Sequence, residues 1–442
     1  MRNIVIIGNG ISGITTARHI RKRSNDHLTI ISAETDHFFS RTALMYIYMG
    51  HMKFKHTKPY EDWFWEKNDL ELKRELVTDI DTDQKSIKLA SGETIKYDIL
   101  IIASGSRSNK FGWPGQDLKG VQGLYSYQDL ENMEFYTKDI DRAVVVGGGL
   151  IGIEMAEMLL SRKIPVTFLV REKSFWDMAL PPEESAMVNR HIREHHVDLR
   201  LETELKKILP DQNGRVRGVV TGQGEEISCQ FVGLAVGVHP NIDFLKNSNI
   251  EIDRGILVNR YFETNLPDVY AVGDCVQYRE PPPGRKPIEQ VWYTGRIHGE
   301  TVAQTITGKR TPYAPGPWFN SAKFFDIEYQ VYGKINNTPE GNEDFFYWED
   351  GSGKRAIRLV YDVSSKHLLG INLMGVRFRH PVCDAWLKEK RTIHEVVRNL
   401  RKAYFDAEFT VSPIPELIEL YNRKNPESPI HIKKSNSVFF TP

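Results

Sequence analysis

The stretch Ile4–Ile20, "IVIIGNGISGITTARHI", decides the fold. It is an apolar run of strand character, then glycines at positions 8, 10 and 13, then an amphipathic segment of helical period. The spacing is that of a dinucleotide-binding loop. The glycines act separately. Gly8 makes the tight turn, Gly10 lets a pyrophosphate approach the backbone, and Gly13 lets the helix pack close to the strand. Ser12 lies in the helical first turn, whose N-terminus favours a negative group. A second strand, "LTIISAE", ends at Glu34, 21 residues after Gly13, the distance expected of a ribose-binding acid.

The same unit recurs at Ala143–Leu160, "AVVVGGGLIGIEMAEMLL", with Gly147, Gly149, Ile151 and Gly152 in the same register 139 residues later. The repeat predicts two Rossmann-like domains and two bound dinucleotides. The strand after this loop, "PVTFLV", ends at Val170, where NAD-preferring sites usually place an acid. Arg171 follows, 19 residues after Gly152, and an arginine can pair with the 2′-phosphate of NADP. Glu172 is adjacent and opposes it. The expectation leans to NADPH, with NADH as the other candidate donor.

Together with "TNLPDVYAVGDC" at 264–275, these loops resemble the FAD-dependent pyridine nucleotide–disulfide oxidoreductase superfamily. In that family the aspartate of the third motif, here Asp274, holds the ribityl chain of FAD. "YDILIIASGSR" resembles the family's turn near the flavin, at Ala103, Ser104 and Gly105. "FVGLAVGVHPN" resembles the matching turn of the NAD(P) domain, at Val236 and Gly237. The resemblance covers roughly residues 1–310 and is nearest to the nitrite-reductase, rubredoxin-reductase and NADH-oxidase types. It implies an α/β fold in which an FAD domain (1–112 and 241–312) carries an inserted NAD(P) domain (113–240). An α+β C-terminal interface domain (313–442) follows. It also implies that a helix beginning near Ile288 faces the flavin, with Val291 and Trp292 beside the ring. Glu154 matches a family glutamate near the nicotinamide.

"FFSRTALMY" at 38–46 aligns with a family stretch that bears a reactive cysteine beside the flavin. Here Arg41 is retained and Thr42 takes the cysteine's place. A hydroxyl cannot perform thiolate chemistry. Cys229, Cys275 and Cys383 are far apart, without the paired spacing of a disulfide framework or a metal site. Disulfide reduction is therefore disfavoured, and no catalytic acid, base or metal is nominated. What remains is hydride transfer from a nicotinamide into FAD, with electrons leaving to another acceptor. A ferredoxin- or rubredoxin-type carrier is favoured. The alternatives are an NAD(P)H oxidase or quinone reductase, and a flavoprotein acting through interactions, like apoptosis-inducing factor.

A formal net charge of +0 gives no field to recruit nucleic acid or anionic membrane. No apolar run is long enough to span a bilayer. The first strand starts at the third residue, which leaves no room for a leader, so a cytoplasmic protein is expected. In the last 130 residues three antiparallel strands are read, at "FFDIEYQVYG", "KRAIRLVYD" and "HLLGINLMG". Helices follow within Val382–Leu400 and Pro415–Tyr421, and His380 is read as a helix-start residue. The polar tail from Asn422 is read as irregular. The interface character of this domain points to a homodimer.

Overall fold

The computed structural model describes residues 1–405 and 412–431. Two compact units are resolved: Met1–Lys173 with His195–Pro315, and Ser174–Glu194 with Gly316–Pro442.

The first unit contains two parallel five-stranded sheets of the same design. In one, the order is Val269–Ala271, Ile99–Ile102, Asn3–Ile7, His27–Ser32, Leu70–Arg74. In the other it is Asp198–Arg200, Val166–Leu169, Ala143–Val146, Phe231–Leu234, Val121–Gln122. Both central strands are buried on both faces, which explains their unbroken runs of Ile and Val. Each glycine loop leaves its central strand where the strand order reverses, the place at which parallel sheets open a ligand crevice. Two short antiparallel strands, Ser106–Ser108 and Val238–Pro240, connect the halves.

The second unit holds a five-stranded antiparallel sheet in the order Phe319–Phe324, Ile327–Gly333, Leu368–Met374, Ala356–Asp362, Glu343–Glu349. Five strands stand where three were expected. The two unread ones are the edge strands, whose half-exposed faces weaken the apolar signal. Besides Pro182–Glu194, which precedes the sheet in sequence, the described residues of this unit form the helices His380–Lys388, Ile393–Arg398, Leu400–Ala403 and Ile414–Lys424. His380 opens the first of these four, as its place in the sequence suggests. Thr392 caps the next in a reciprocal pair with Glu395, which separates the two helices. Residues Ser174–Glu194, inside the stretch assigned above to the nucleotide-binding insertion, group with this second unit. Buried Arg358 donates to Glu184 at 2.7 and 2.9 Å. Of the tail read as irregular, residues 432–442 lie outside the described residues, and the last helix runs on to Lys424. Among the described residues no helix is long and apolar enough to cross a membrane.

Candidate functional site

The two glycine loops have the same construction. Gly8 and Gly147 both adopt φ +111°, and a Cβ on either would lie 2.1 Å from the Ala103 oxygen or 2.4 Å from the Ala235 oxygen. The Gly8 N–H donates to the Ile31 oxygen, and the Gly147 N–H to the Leu169 oxygen, at 2.7 and 2.9 Å. A Cβ on Gly13 would meet the Gly8 oxygen at 2.0 Å, and one on Gly152 the Gly147 oxygen at 2.3 Å. These four glycines are thus required by the protein's own packing. Gly10 and Gly149 differ: they have extended backbones, and a Cβ on either finds nothing within 4 Å. Each precedes a helix that has no side-chain cap, Ile11–Arg21 and Leu150–Ser161. The first N–H groups of each helix therefore face an open cradle, which fits a pyrophosphate.

Ala103, Ser104 and Gly105 form the turn against the first loop, and Ala235, Val236 and Gly237 the equivalent turn against the second, with Gly105 at φ +71° and Gly237 at φ +88°. Ser104 Oγ donates to the Asn241 oxygen at 2.8 Å, and the Asn109 N–H to the Gly237 oxygen at 3.0 Å, tying the connecting strands together.

Glu34 and Arg41, both predicted, meet in a bidentate pair at 2.7 and 2.6 Å. Glu34 Oε1 also accepts the Tyr127 N–H at 2.9 Å. A carboxylate offers about four acceptor sites, so Glu34 keeps room for one ribose hydroxyl. The Arg41 guanidinium also stacks 4.4 Å over the Tyr125 ring. Burial alone would lower the pKa of Arg41, but Glu34 holds it above the ordinary arginine value.

The Asp274 carboxylate accepts from Ser106 Oγ and from the Tyr125 hydroxyl, both at 3.3 Å. Gln290 donates to that serine at 2.7 Å. Burial raises the Asp274 pKa, while Arg41 and the two hydroxyl donors oppose the rise. Ser106, Tyr125, Tyr127 and Gln290 were not read from the sequence. Only Ser106, next to the Ala103–Gly105 turn, carried a positional signal.

The helix expected from Ile288 begins at Trp292 and ends at Ile306. Glu289 and Gln290 are instead occupied by side-chain hydrogen bonds just before it. Val291 is the residue before its first turn, and among the described residues the buried Trp292 Nε1 has no hydrogen-bond partner. This helix presses on Ile11–Arg21 through Gly295 and Gly299, where a Cβ would lie 2.6 Å from Ser12 Oγ and 2.7 Å from the Ser12 oxygen.

Thr42 is exposed, with its hydroxyl 3.2 Å from that of Ser40. The helix after it, Leu44–Tyr48, packs on the helix Leu150–Ser161, and Arg162 lies 3.6 Å over the Tyr48 ring. Ile151 and Glu154 are half-buried on that second helix. Burial, and then Glu157, push the Glu154 carboxyl up to about 7. Arg171 is exposed and donates to its neighbour Glu172 at 2.9 Å.

All three cysteines are buried and unpaired. Burial pushes the Cys229 thiol up to about 12, the Cys275 thiol up to about 11, and the Cys383 thiol above its ordinary value. None offers a thiolate near neutral pH.

The chain belongs to the pyridine nucleotide-disulphide oxidoreductase family, whose model matches residues 2–299. Nitrite reductase [NAD(P)H] of Bacillus subtilis is 30% identical over 282 residues, 63% of this chain and 35% of that protein, so the chain spans about a third of that relative. NADH-rubredoxin oxidoreductase of Clostridium acetobutylicum is 31% identical over 288 residues, 64% of this chain and 70% of that protein. Among solved structures, a NAD-dependent persulfide reductase from A. fulgidus has a TM-score of 0.84 at 24% identity, covering 96% of this chain and 84% of that one. The protein is thus an NAD(P)H-dependent FAD oxidoreductase of that family, with no disulfide among its three cysteines.

Proposed function

We propose that this oxidoreductase takes hydride from NADPH, or less readily NADH, and passes the electrons to a small ferredoxin- or rubredoxin-type protein. The observation that carries the reading is the pairing of two open dinucleotide cradles with the lack of any reachable thiol. Electrons accepted from a nicotinamide then have no internal disulfide to reduce and must leave the protein. The NADH-rubredoxin oxidoreductase relative supports a protein carrier as the destination.

FAD, when bound, supplies the acceptance of a hydride and the release of electrons one at a time. The chain supplies binding and alignment. The Gly8–Gly13 loop and the N-terminus behind it would hold the FAD pyrophosphate, Glu34 a ribose hydroxyl, and Asp274 the ribityl chain. Val291 and Trp292 would lie by the ring, where a helix N-terminus favours negative charge. The Gly147–Gly152 loop would hold the nicotinamide nucleotide, with Glu154 beside the carboxamide. No side-chain acid or base is needed for a hydride, so the protein's contribution is orientation.

The donor preference follows from the Arg171–Glu172 pair. An exposed pair of this kind contributes about 0–1 kcal/mol. A charge-assisted bond to a 2′-phosphate contributes roughly 1.5–3 kcal/mol. Exchanging one for the other leaves about 1–2 kcal/mol, near tenfold in affinity. The experiment is stopped-flow reoxidation of the reduced protein by ferredoxin, rubredoxin, quinone and oxygen. Carrier proteins should react fastest. Faster reaction with quinone or oxygen would replace the carrier reading.

A further inference from the structure

His298 lies in the middle of the helix Trp292–Ile306 and is fully buried. Its Nδ1 accepts the Gly273 N–H at 3.0 Å. Its Nε2 is 2.6 Å from the Tyr278 hydroxyl. A backbone N–H can only donate, so Nδ1 must carry the lone pair and Nε2 the proton. The Tyr278 oxygen therefore accepts, and its own hydrogen is free to go onward. Its acceptors are the Tyr313 hydroxyl and Glu289 Oε2, the latter at 3.5 Å. The Tyr313 hydroxyl donates to the same oxygen at 3.2 Å, and Arg285 Nη1 to the other at 3.0 Å. The Arg285 and Glu289 side chains are only 6% and 2% exposed, so water does not substitute for these partners. The donors thus run one way, from imidazole to tyrosine to carboxylate, and Arg285 fixes the far end because a guanidinium cannot accept. Burial, and then the Arg285 charge, lower the His298 pKa to about 3, so the ring is neutral.

The group at the near end matters because of what it holds. Gly273 has φ +83°, and a Cβ there would lie 2.4 Å from Ser12 Oγ. Its backbone leads directly into Asp274. His298 therefore bolts the Asp274 turn to the helix that starts at Trp292, and both elements belong to the FAD site assigned above.

We propose that His298 is a positioning residue for the flavin site: its Nδ1 accepts the Gly273 N–H and so holds the Gly273–Asp274 turn, while the buried Tyr278–Glu289–Arg285 chain anchors the Nε2–H side of the ring. The inference rests on the FAD assignment. It has a specific consequence for Glu289→Gln. Arg285 would keep the amide oxygen, which turns the amide NH2 toward Tyr278. Tyr278 has two lone pairs, so it accepts from the amide and still accepts from His298 Nε2–H. The ring keeps its proton on Nε2, and the Gly273 N–H keeps its acceptor.

The test compares variants of the full chain, with FAD affinity of the apoprotein read by flavin fluorescence, and the flavin midpoint potential read beside it. His298→Leu should weaken FAD about tenfold, and Glu289→Gln should bind FAD within about threefold of wild type. His298→Asn, which keeps an acceptor near Nδ1, should bind FAD within about threefold of wild type. The reduced flavin should be weakened about tenfold more than the oxidised one in His298→Leu, a potential about 30 mV lower. Wild-type FAD affinity or an unchanged potential in His298→Leu would overturn the proposal. The contrast between Leu and Asn at 298 decides: equal affinities overturn the inference, and a Leu-specific loss supports it. A wild-type chain that takes up no FAD would overturn the FAD assignment itself, and the inference with it.

Discussion

Replacing Gly10 with alanine should leave the fold intact and remove the flavin. Gly10 has φ −71° and ψ −176°, a conformation open to any residue, and its Cβ would meet nothing within 4 Å. In the protein alone the change is close to neutral. Loss of glycine's freedom in the unfolded chain stabilises by about 0.4–1 kcal/mol, and the poorer cap costs a similar amount. A methyl in the cradle would instead push the pyrophosphate off the helix N-terminus, at the cost of about 1–3 kcal/mol typical of overpacking. FAD should therefore bind roughly ten- to hundredfold more weakly. The twin substitution Gly149→Ala should keep FAD and raise the Michaelis constant for the nicotinamide nucleotide by a similar factor. Gly13→Ala is the control: its Cβ would lie 2.0 Å from the Gly8 oxygen, so the protein itself should be destabilised. The assays are thermal unfolding of the apoproteins, FAD titration by fluorescence, and steady-state dye reduction. Wild-type FAD affinity in Gly10→Ala, or flavin loss in Gly149→Ala with retention in Gly10→Ala, would refute the assignment of the two cradles.

Arg171→Ala should raise the Michaelis constant for NADPH about tenfold and leave that for NADH nearly unchanged; equal effects on both donors in steady-state assays would remove Arg171 from the specificity site. Glu154 should make the apoprotein less stable as pH rises. Its folded pKa of about 7 lies above the ordinary value of 4.5, so the folded state holds a proton that the unfolded state has released. That stabilisation is complete below about pH 4.5 and lost by pH 7, up to about 3 kcal/mol, and urea titrations at pH 5 and 8 should show the slope in wild type and not in Glu154→Gln. Light scattering should give twice the chain mass if the C-terminal domain is a dimer interface, and the chain mass at micromolar concentration would reject the homodimer.

The two dinucleotide loops were legible because their constraint is local: the demand for glycine at Gly8, Gly13, Gly147 and Gly152 comes from atoms of the same strand–turn–helix or its neighbouring strand. Glu34 was legible by spacing, but its pairing with Arg41 and the Tyr127 N–H was not, since Tyr127 arrives from a helix 93 residues further on. Asp274 was found by motif, whereas Ser106 and Tyr125 reach it only through the folded sheet. The His298 chain was invisible for the same reason, because Gly273, Tyr278, Glu289 and Tyr313 converge through tertiary packing. It also explains the misplaced helix start: Glu289 is drawn into that chain and Gln290 onto Ser106, so the helix begins at Trp292. The edge strands Phe319–Phe324 and Glu343–Glu349 escaped because half of each faces outward and dilutes the alternation.

Anaerobic titration of the FAD-loaded protein with NADPH tests the central claim most directly. With Thr42 in the cysteine's place and three buried thiols, the flavin is the sole electron store, so one equivalent of donor should bleach it fully, with no long-wavelength thiolate–flavin band. Full reduction that needs two equivalents, or the appearance of that band, would show a working disulfide and contradict the account.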